Sequence, residues 1–64
     1  MSKQVTTKDL MALNELMTFE NWMALKLLNY SKETTSTNLK NEFKKMAKIH
    51  AMNHKNLLNY LSNA

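Results

Sequence analysis

The chain has 64 residues, which is room for one small domain, and so short a chain buries too little surface to be stable without further support. It contains no Cys, which excludes disulfides and thiolate metal sites, and neither Gly nor Pro, which removes the usual residues of tight turns and leaves few ways to build a sheet. Its net charge of +4 comes from Lys without any Arg, so the bidentate contacts typical of nucleic-acid readers are lacking. We therefore expect an all-α protein that gains stability by oligomerisation.

The N-terminal segment precedes the first predicted helix. Residues 1–5 are expected to form a loose lead-in, and the sequence MSKQVTTKD lacks the hydrophobic segment of a secretory signal. No apolar run approaches the roughly 18–20 residues that span a bilayer. We expect synthesis in the cytoplasm and no membrane partner.

The first helix is predicted over residues 7–30. The segment from Thr6 to Asp9 resembles a capped helix start, with the Asp9 carboxylate favourably placed in the first turn. An apolar stripe with alternating spacings of three and four marks one face of this helix. Its members are Leu10, Leu13, Met17, Glu20, Ala24 and Leu27.

A polar connection over residues 31–37 is predicted next, because its Ser, Thr and Glu residues break the apolar period and its hydroxyls bond readily to local backbone. Ser36 or Thr37 is the expected N-cap of a second helix over residues 38–61, after which residues 62–64 should fray. The second helix has its own stripe. Its members are Leu39, Phe43, Met46, His50, Asn53, Leu57 and Tyr60.

Two long amphipathic helices with a short connection predict an antiparallel hairpin in one domain, residues 1–64. If the turn is centred near residues 34 and 35, residue i faces approximately residue 69 minus i. Glu20 then lies level with Ile49 and His50, so the polar residues that interrupt the two stripes meet inside the hairpin.

The apolar surface exceeds what one hairpin can hide, so we expect two hairpins to pair as a homodimeric four-helix bundle. Alternatively, the two aromatic residues Phe19 and Trp22 pack on the shoulder of their own hairpin. The residues expected at the dimer interface are Phe19, Trp22, Met23, Ile49 and Met52.

Three residues form a candidate metal site. His50 and His54 are four apart, a spacing that lets both imidazoles reach one ion, and Glu20 can add a carboxylate from the opposing helix. The ion would be a transition metal such as Fe, Mn or Zn, although the fold itself requires no cofactor. One alternative is a buried hydrogen bond between Glu20 and His50, with Asn53 nearby, that fixes helix register. Another is that His54 simply lies at the surface.

A basic ridge runs along the second helix, mostly opposite its apolar stripe. It can follow a polyanion such as nucleic acid, or it can be a solvated face that keeps the helix soluble. The second interpretation is the more common one for such a ridge, so nucleic acid is not the expected partner. Its members are Lys40, Lys44, Lys45, Lys48 and Lys55.

Catalysis is not expected. The sequence has no Gly-rich phosphate loop, no thiol nucleophile and no Ser, His and Asp grouping in a structural context that would support catalysis. The neighbours of Glu20 and His50 predict a closed core instead of an open cleft, which argues against general acid and base chemistry there.

Several segments resemble the coat F family of spore coat proteins, small ferritin-like helical proteins of endospore-forming Firmicutes. The resemblance covers residues 6–10, the Trp22 and Glu20 region of the first helix, and the closing stretch MAKIHAMNHKNLLNYL at residues 46–61. It implies a ferritin-like bundle completed by a second copy and a structural role in the spore or its coat, with other coat proteins as partners. Ferritin-like di-iron proteins carry a Glu-x-x-His motif, and the matching position before His50 here is Ala47.

The sequence thus favours a small, non-catalytic structural protein of the spore or spore coat that acts as a dimeric packing module. Two alternatives stay open. The first is a ferritin-like metal-binding module using Glu20, His50 and His54. The second is a basic helical protein that binds nucleic acid through the basic ridge.

Overall fold

Two long α-helices packed against each other make up the protein. The computed structural model describes residues 5–63, and in it α1 spans Thr7–Glu33, α2 spans Thr37–Ser62, and residues 34–36 join them. The hairpin measures 49 × 18 × 11 Å. The predicted all-helical hairpin is confirmed.

The start of α1 follows the predicted capping pattern. Thr6 is the N-cap: its hydroxyl accepts a hydrogen bond from the Asp9 backbone N–H at 3.0 Å, while the Asp9 carboxylate accepts one from the Thr6 N–H at 3.1 Å. This reciprocal arrangement satisfies two backbone donors at the helix start. Of the predicted lead-in over residues 1–5, residues 1–4 lie outside the described residues.

The connection is shorter than predicted, because α1 continues through residues 31–33 to Glu33. Ser31 is helical and buried. Its hydroxyl donates to the Leu28 carbonyl one turn earlier in the same helix, at 2.6 Å, so the buried hydroxyl has a hydrogen-bond partner. Thr34 then ends α1 with an extended backbone. Ser36, one of the two expected caps, accepts from the Leu39 N–H at 3.2 Å and starts α2.

At the other end, α2 runs one residue beyond its predicted limit. Ser62 is still helical and donates its hydroxyl to the Leu58 carbonyl at 3.0 Å, and Asn63 follows as the C-cap. The predicted fraying of residues 62–64 stays a prediction. Ala64 lies outside the described residues.

The interior of the hairpin is narrow and built from small residues. Ala24, Leu27 and Ala47 are buried together with Ser31. Small side chains let two helices approach closely, but they also leave little room to enclose large ones. Most of the bulky apolar residues therefore lie on the flanks of the hairpin, more than two-fifths exposed.

The α1 stripe faces α2 as predicted from Leu13 to Leu27, whereas Leu10 is exposed.

The face of α2 that packs against α1 is rotated by one residue from the predicted stripe. Phe43, His50 and Leu57 face inward as expected. The other predicted members, Leu39, Met46, Asn53 and Tyr60, are exposed on one side of these three. Ala47, His54 and Leu61, on the other side, take the inner positions instead. The small Ala47 allows the close approach that Met46 would prevent.

Candidate functional site

Glu20 and His50 meet between the two helices, as predicted. Glu20 Oε1 lies 2.5 Å from His50 Nδ1 and also accepts a hydrogen bond from the Asn53 side-chain amide at 3.4 Å. The observed pair differs by one residue from the predicted register. We call Glu20, His50 and Asn53 the polar layer.

The polar layer is partly shielded from solvent. The Glu20 side chain is 15% exposed and that of His50 is 22% exposed. The hydrogen bond from His50 lowers the pKa of the Glu20 carboxyl below its usual range; desolvation opposes this shift, while the Asn53 hydrogen bond and the His50 charge add to it. Glu20 is therefore ionised at neutral pH and can only accept, so Nδ1 of His50 carries the proton and donates it.

A neighbouring aromatic ring fixes the imidazole. The Phe19 ring meets the His50 ring edge-on, with centroids 6.2 Å apart and planes at 83°. Such T-shaped contacts are favourable and directional. The orientation of His50 is thus set from one side by Glu20 and from another by Phe19.

One side of the polar layer opens onto an apolar groove of about 490 Å³. Glu20 and Asn53 are among the residues that line this groove. The remaining lining residues are Leu13, Leu16, Asn56, Leu57 and Tyr60. A polar layer thus lies at the floor of a surface that is otherwise apolar.

The groove belongs to a larger exposed surface, which we call the apolar face. Leu16 and Tyr60 in the groove show that one flank of α1 and one flank of α2 lie on the same side of the hairpin. Residues three, four or seven positions apart lie on the same side of a helix, so the other residues of each flank can be identified from these two. The apolar face consists of Leu16, Phe19, Met23 and Tyr30 of α1, and Leu39, Met46, Ile49 and Tyr60 of α2.

The residues expected at a dimer interface divide into two groups. Phe19, Met23 and Ile49 lie on the apolar face, with Met23 half-buried and the other two exposed. Trp22 and Met52 are each two residues from inward-facing positions of their helix, which places them on its outer side. The role of all five in dimerisation stays a prediction. Leu16 and Tyr30 were not among the predicted interface residues. Leu16 lies three residues before Phe19 and Tyr30 seven after Met23, and these helical spacings could have identified them.

The third predicted metal ligand, His54, does not join the other two. It is half-buried in the α2 stripe one turn beyond His50. Among residues 5–63, no three His, Cys, Asp or Glu side chains converge on a point where they could hold a metal ion. One hairpin therefore brings together two of the three predicted ligands, and whether they bind metal stays a prediction.

A di-iron centre of the ferritin-like kind does not fit these residues. Such a centre takes one Glu from each of two helices and a Glu-x-x-His motif from each of the other two. The position one turn before His50 is Ala47, which is 3% exposed and packed between the helices. The hairpin has neither the carboxylate nor the space for one at this position.

The basic ridge remains largely solvated. Lys44, Lys45, Lys48 and Lys55 are exposed, Lys40 is half-buried, and Lys45 pairs with Glu42 at 3.4 Å. In all, α2 carries five Lys and one Glu, whereas α1 carries three Lys and four acidic residues. The positive charge of the chain is thus concentrated on α2, and both interpretations of the ridge stay predictions.

Within residues 5–63, neither helix combines the length and the apolar character that a bilayer crossing requires. Comparison of the chain with protein-family models, with curated proteins and with solved structures finds no match.

Proposed function

We propose that this protein is a non-catalytic structural module that pairs with a second copy of itself, apolar face against apolar face, to form a four-helix bundle. We further propose the spore or its coat as the place of this role, and other coat proteins as further partners. The bundle is supported by the surface of the hairpin. The spore location is supported by the resemblance of residues 6–10 and 46–61 to the coat F family alone.

The observation that carries the proposal is the amount of exposed surface. The hairpin exposes 5170 Å². A compact monomer of 7.5 kDa should expose only about 4,250 Å² by the usual scaling of surface with mass. The excess of about 900 Å² means that the hairpin covers less of its surface than a compact monomer of this mass, and bulky apolar residues are part of what it leaves exposed.

The chemistry of the apolar face supports a second copy as the occupant. Its residues carry no charge, and the acidic Glu20 at its floor is already paired with His50. Most of the basic ridge lies on other sides of α2, so two copies meeting through this face bring few like charges together. A twofold-symmetric dimer needs only one self-complementary patch, which the apolar face supplies.

Sedimentation equilibrium of the untagged protein tests the dimer, with Ile49→Glu as the disrupting change. Ile49 is 52% exposed on the apolar face, and a buried, unpaired carboxylate there should oppose dimerisation strongly. Leu58→Glu is the matched control, since Leu58 is a 44% exposed apolar residue of α2 outside the face.

We expect the unaltered chain and Leu58→Glu to sediment as dimers at micromolar concentration and Ile49→Glu to sediment as a monomer. A folded monomer of the unaltered chain under these conditions would contradict the proposal. Equal dimerisation of both variants would show that the interface lies elsewhere.

A further inference from the structure

We infer that the polar layer is one half of a mononuclear divalent-metal site, which a second copy of the chain completes with its own Glu20 and His50. The inference rests on the proposed dimer, because one hairpin supplies only two ligands. The ligand set would be two carboxylates and two imidazoles around one ion of the Zn²⁺ class. It differs from a di-iron centre, which the buried Ala47 excludes.

The position of the polar layer along the helices is the first argument. Glu20 is the central residue of α1, Thr7–Glu33, and His50 lies at the middle of α2, Thr37–Ser62. When two identical hairpins overlap over their full length, the twofold axis crosses both at mid-height. The two polar layers are then brought to the same level at the axis.

The direction in which the layer opens is the second argument. Glu20 and Asn53 line the groove on the apolar face, so this side of the layer is the one that a second copy would cover. His50 is held beside Glu20 by two contacts with α1 of its own hairpin, the hydrogen bond to Glu20 and the edge-on Phe19 ring, so it is in place before a second copy arrives. Pre-positioned donors of this kind favour metal binding.

Charge supplies the third argument. Dimerisation would bring the two Glu20 carboxylates to one level of the interface, each hydrogen-bonded to its own His50 but with no cation between them. A divalent cation between them neutralises both charges. Two imidazole nitrogens and two carboxylate oxygens also match the four-coordinate preference of Zn²⁺.

The protons balance without a further reactant. Because the Glu20 carboxylate can only accept, Nδ1 of His50 is the proton donor in the hydrogen bond between them. The metal would take the place of this proton, and a neutral imidazole would then carry its proton on Nε2 after exchange with solvent. Only a His50 that was doubly protonated beforehand would release a proton on binding.

The test uses metal-stripped, untagged full-length protein and two probes, Zn²⁺ and Co²⁺. Native mass spectrometry gives the number of chains and of metal ions in each species, and the visible absorption of Co²⁺ reports whether its coordination is tetrahedral. The disrupting variants are His50→Gln and the nearly isosteric Glu20→Gln, which retains the shape of the side chain. His54→Gln is the matched control, because His54 lies one turn along the same helix and outside the polar layer.

We expect one ion per two chains in the unaltered protein and in His54→Gln, with tetrahedral Co²⁺ absorption. In Glu20→Gln and His50→Gln we expect the bound metal and the absorption to fall at least tenfold, while circular dichroism shows that the helices persist. A dimer that retains no metal would overturn this inference and leave the proposed dimer intact. A monomer that retains none would overturn both, and a monomer with one ion would show that the site is not shared.

Discussion

At the scale of the residue, the polar layer places a charged side chain where little water reaches it. Glu20 is ionised and largely shielded, and it lies beside the apolar groove. Both of its hydrogen-bond partners, His50 and Asn53, belong to α2. A shielded charge of this kind destabilises the fold as soon as its partner is removed, whereas an apolar pair of similar size can replace both partners without loss. We therefore expect the layer to influence which arrangement of helices is preferred more than how stable that arrangement is.

A double-mutant cycle on the metal-free protein checks this. We expect His50→Leu to lower the free energy of unfolding, because the Glu20 carboxylate loses its main partner. Adding Glu20→Leu should restore most of the loss, so the two changes are strongly non-additive. Urea unfolding of the four proteins gives the coupling free energy. Additive effects would mean that the pair in the structure contributes no net interaction.

At the scale of the element, the two helices differ in how well the sequence predicts them. The start of α1 was predictable because the two hydrogen bonds between Thr6 and Asp9 join residues only three apart in the sequence. The orientation of α2 was not, because Phe43, His50 and Leu57 belong equally to a stripe through Met46 and to one through Ala47. Hydrophobicity favours the first stripe, whereas close packing against α1 favours the second. The contact between Glu20 and His50 was nevertheless predicted, since His50 is common to both.

Because Ala47, and not Met46, lies between the helices, we can predict how large a side chain this position tolerates. Ala47→Leu should lower the free energy of unfolding by about 1–3 kcal/mol, because a large side chain does not fit where Ala47 is buried between the helices. Ala51→Leu, an exposed change on the same helix, should have little effect. Thermal and urea unfolding compare the two. A stabilising effect of Ala47→Leu would instead support the predicted stripe through Met46.

At the scale of the whole molecule, a short chain of two helices exposes apolar residues on more than one side. The proposed dimer would cover the flanks that carry Phe19 and Ile49. It would also make stability depend on concentration, so we expect the melting temperature to rise with protein concentration. The same dimer would leave the outer side of α1 in solvent. The sequence could not distinguish these sides, because apolar residues occur all around α1 and only the contact with α2 shows which of them are outward.

The single Trp distinguishes the two candidate interfaces. Trp22 is 61% exposed on the outer side of α1, with the Lys26 ammonium 4.9 Å from the centroid of its ring. The sequence alone had placed it among the expected dimer contacts. If the apolar face is the interface, Trp22 stays in solvent, and quenching of its fluorescence by the neutral quencher acrylamide should be equally efficient at concentrations below and above the dimerisation midpoint. Quenching that falls severalfold as the dimer forms would place Trp22 in the interface and exclude the arrangement in which the two polar layers meet.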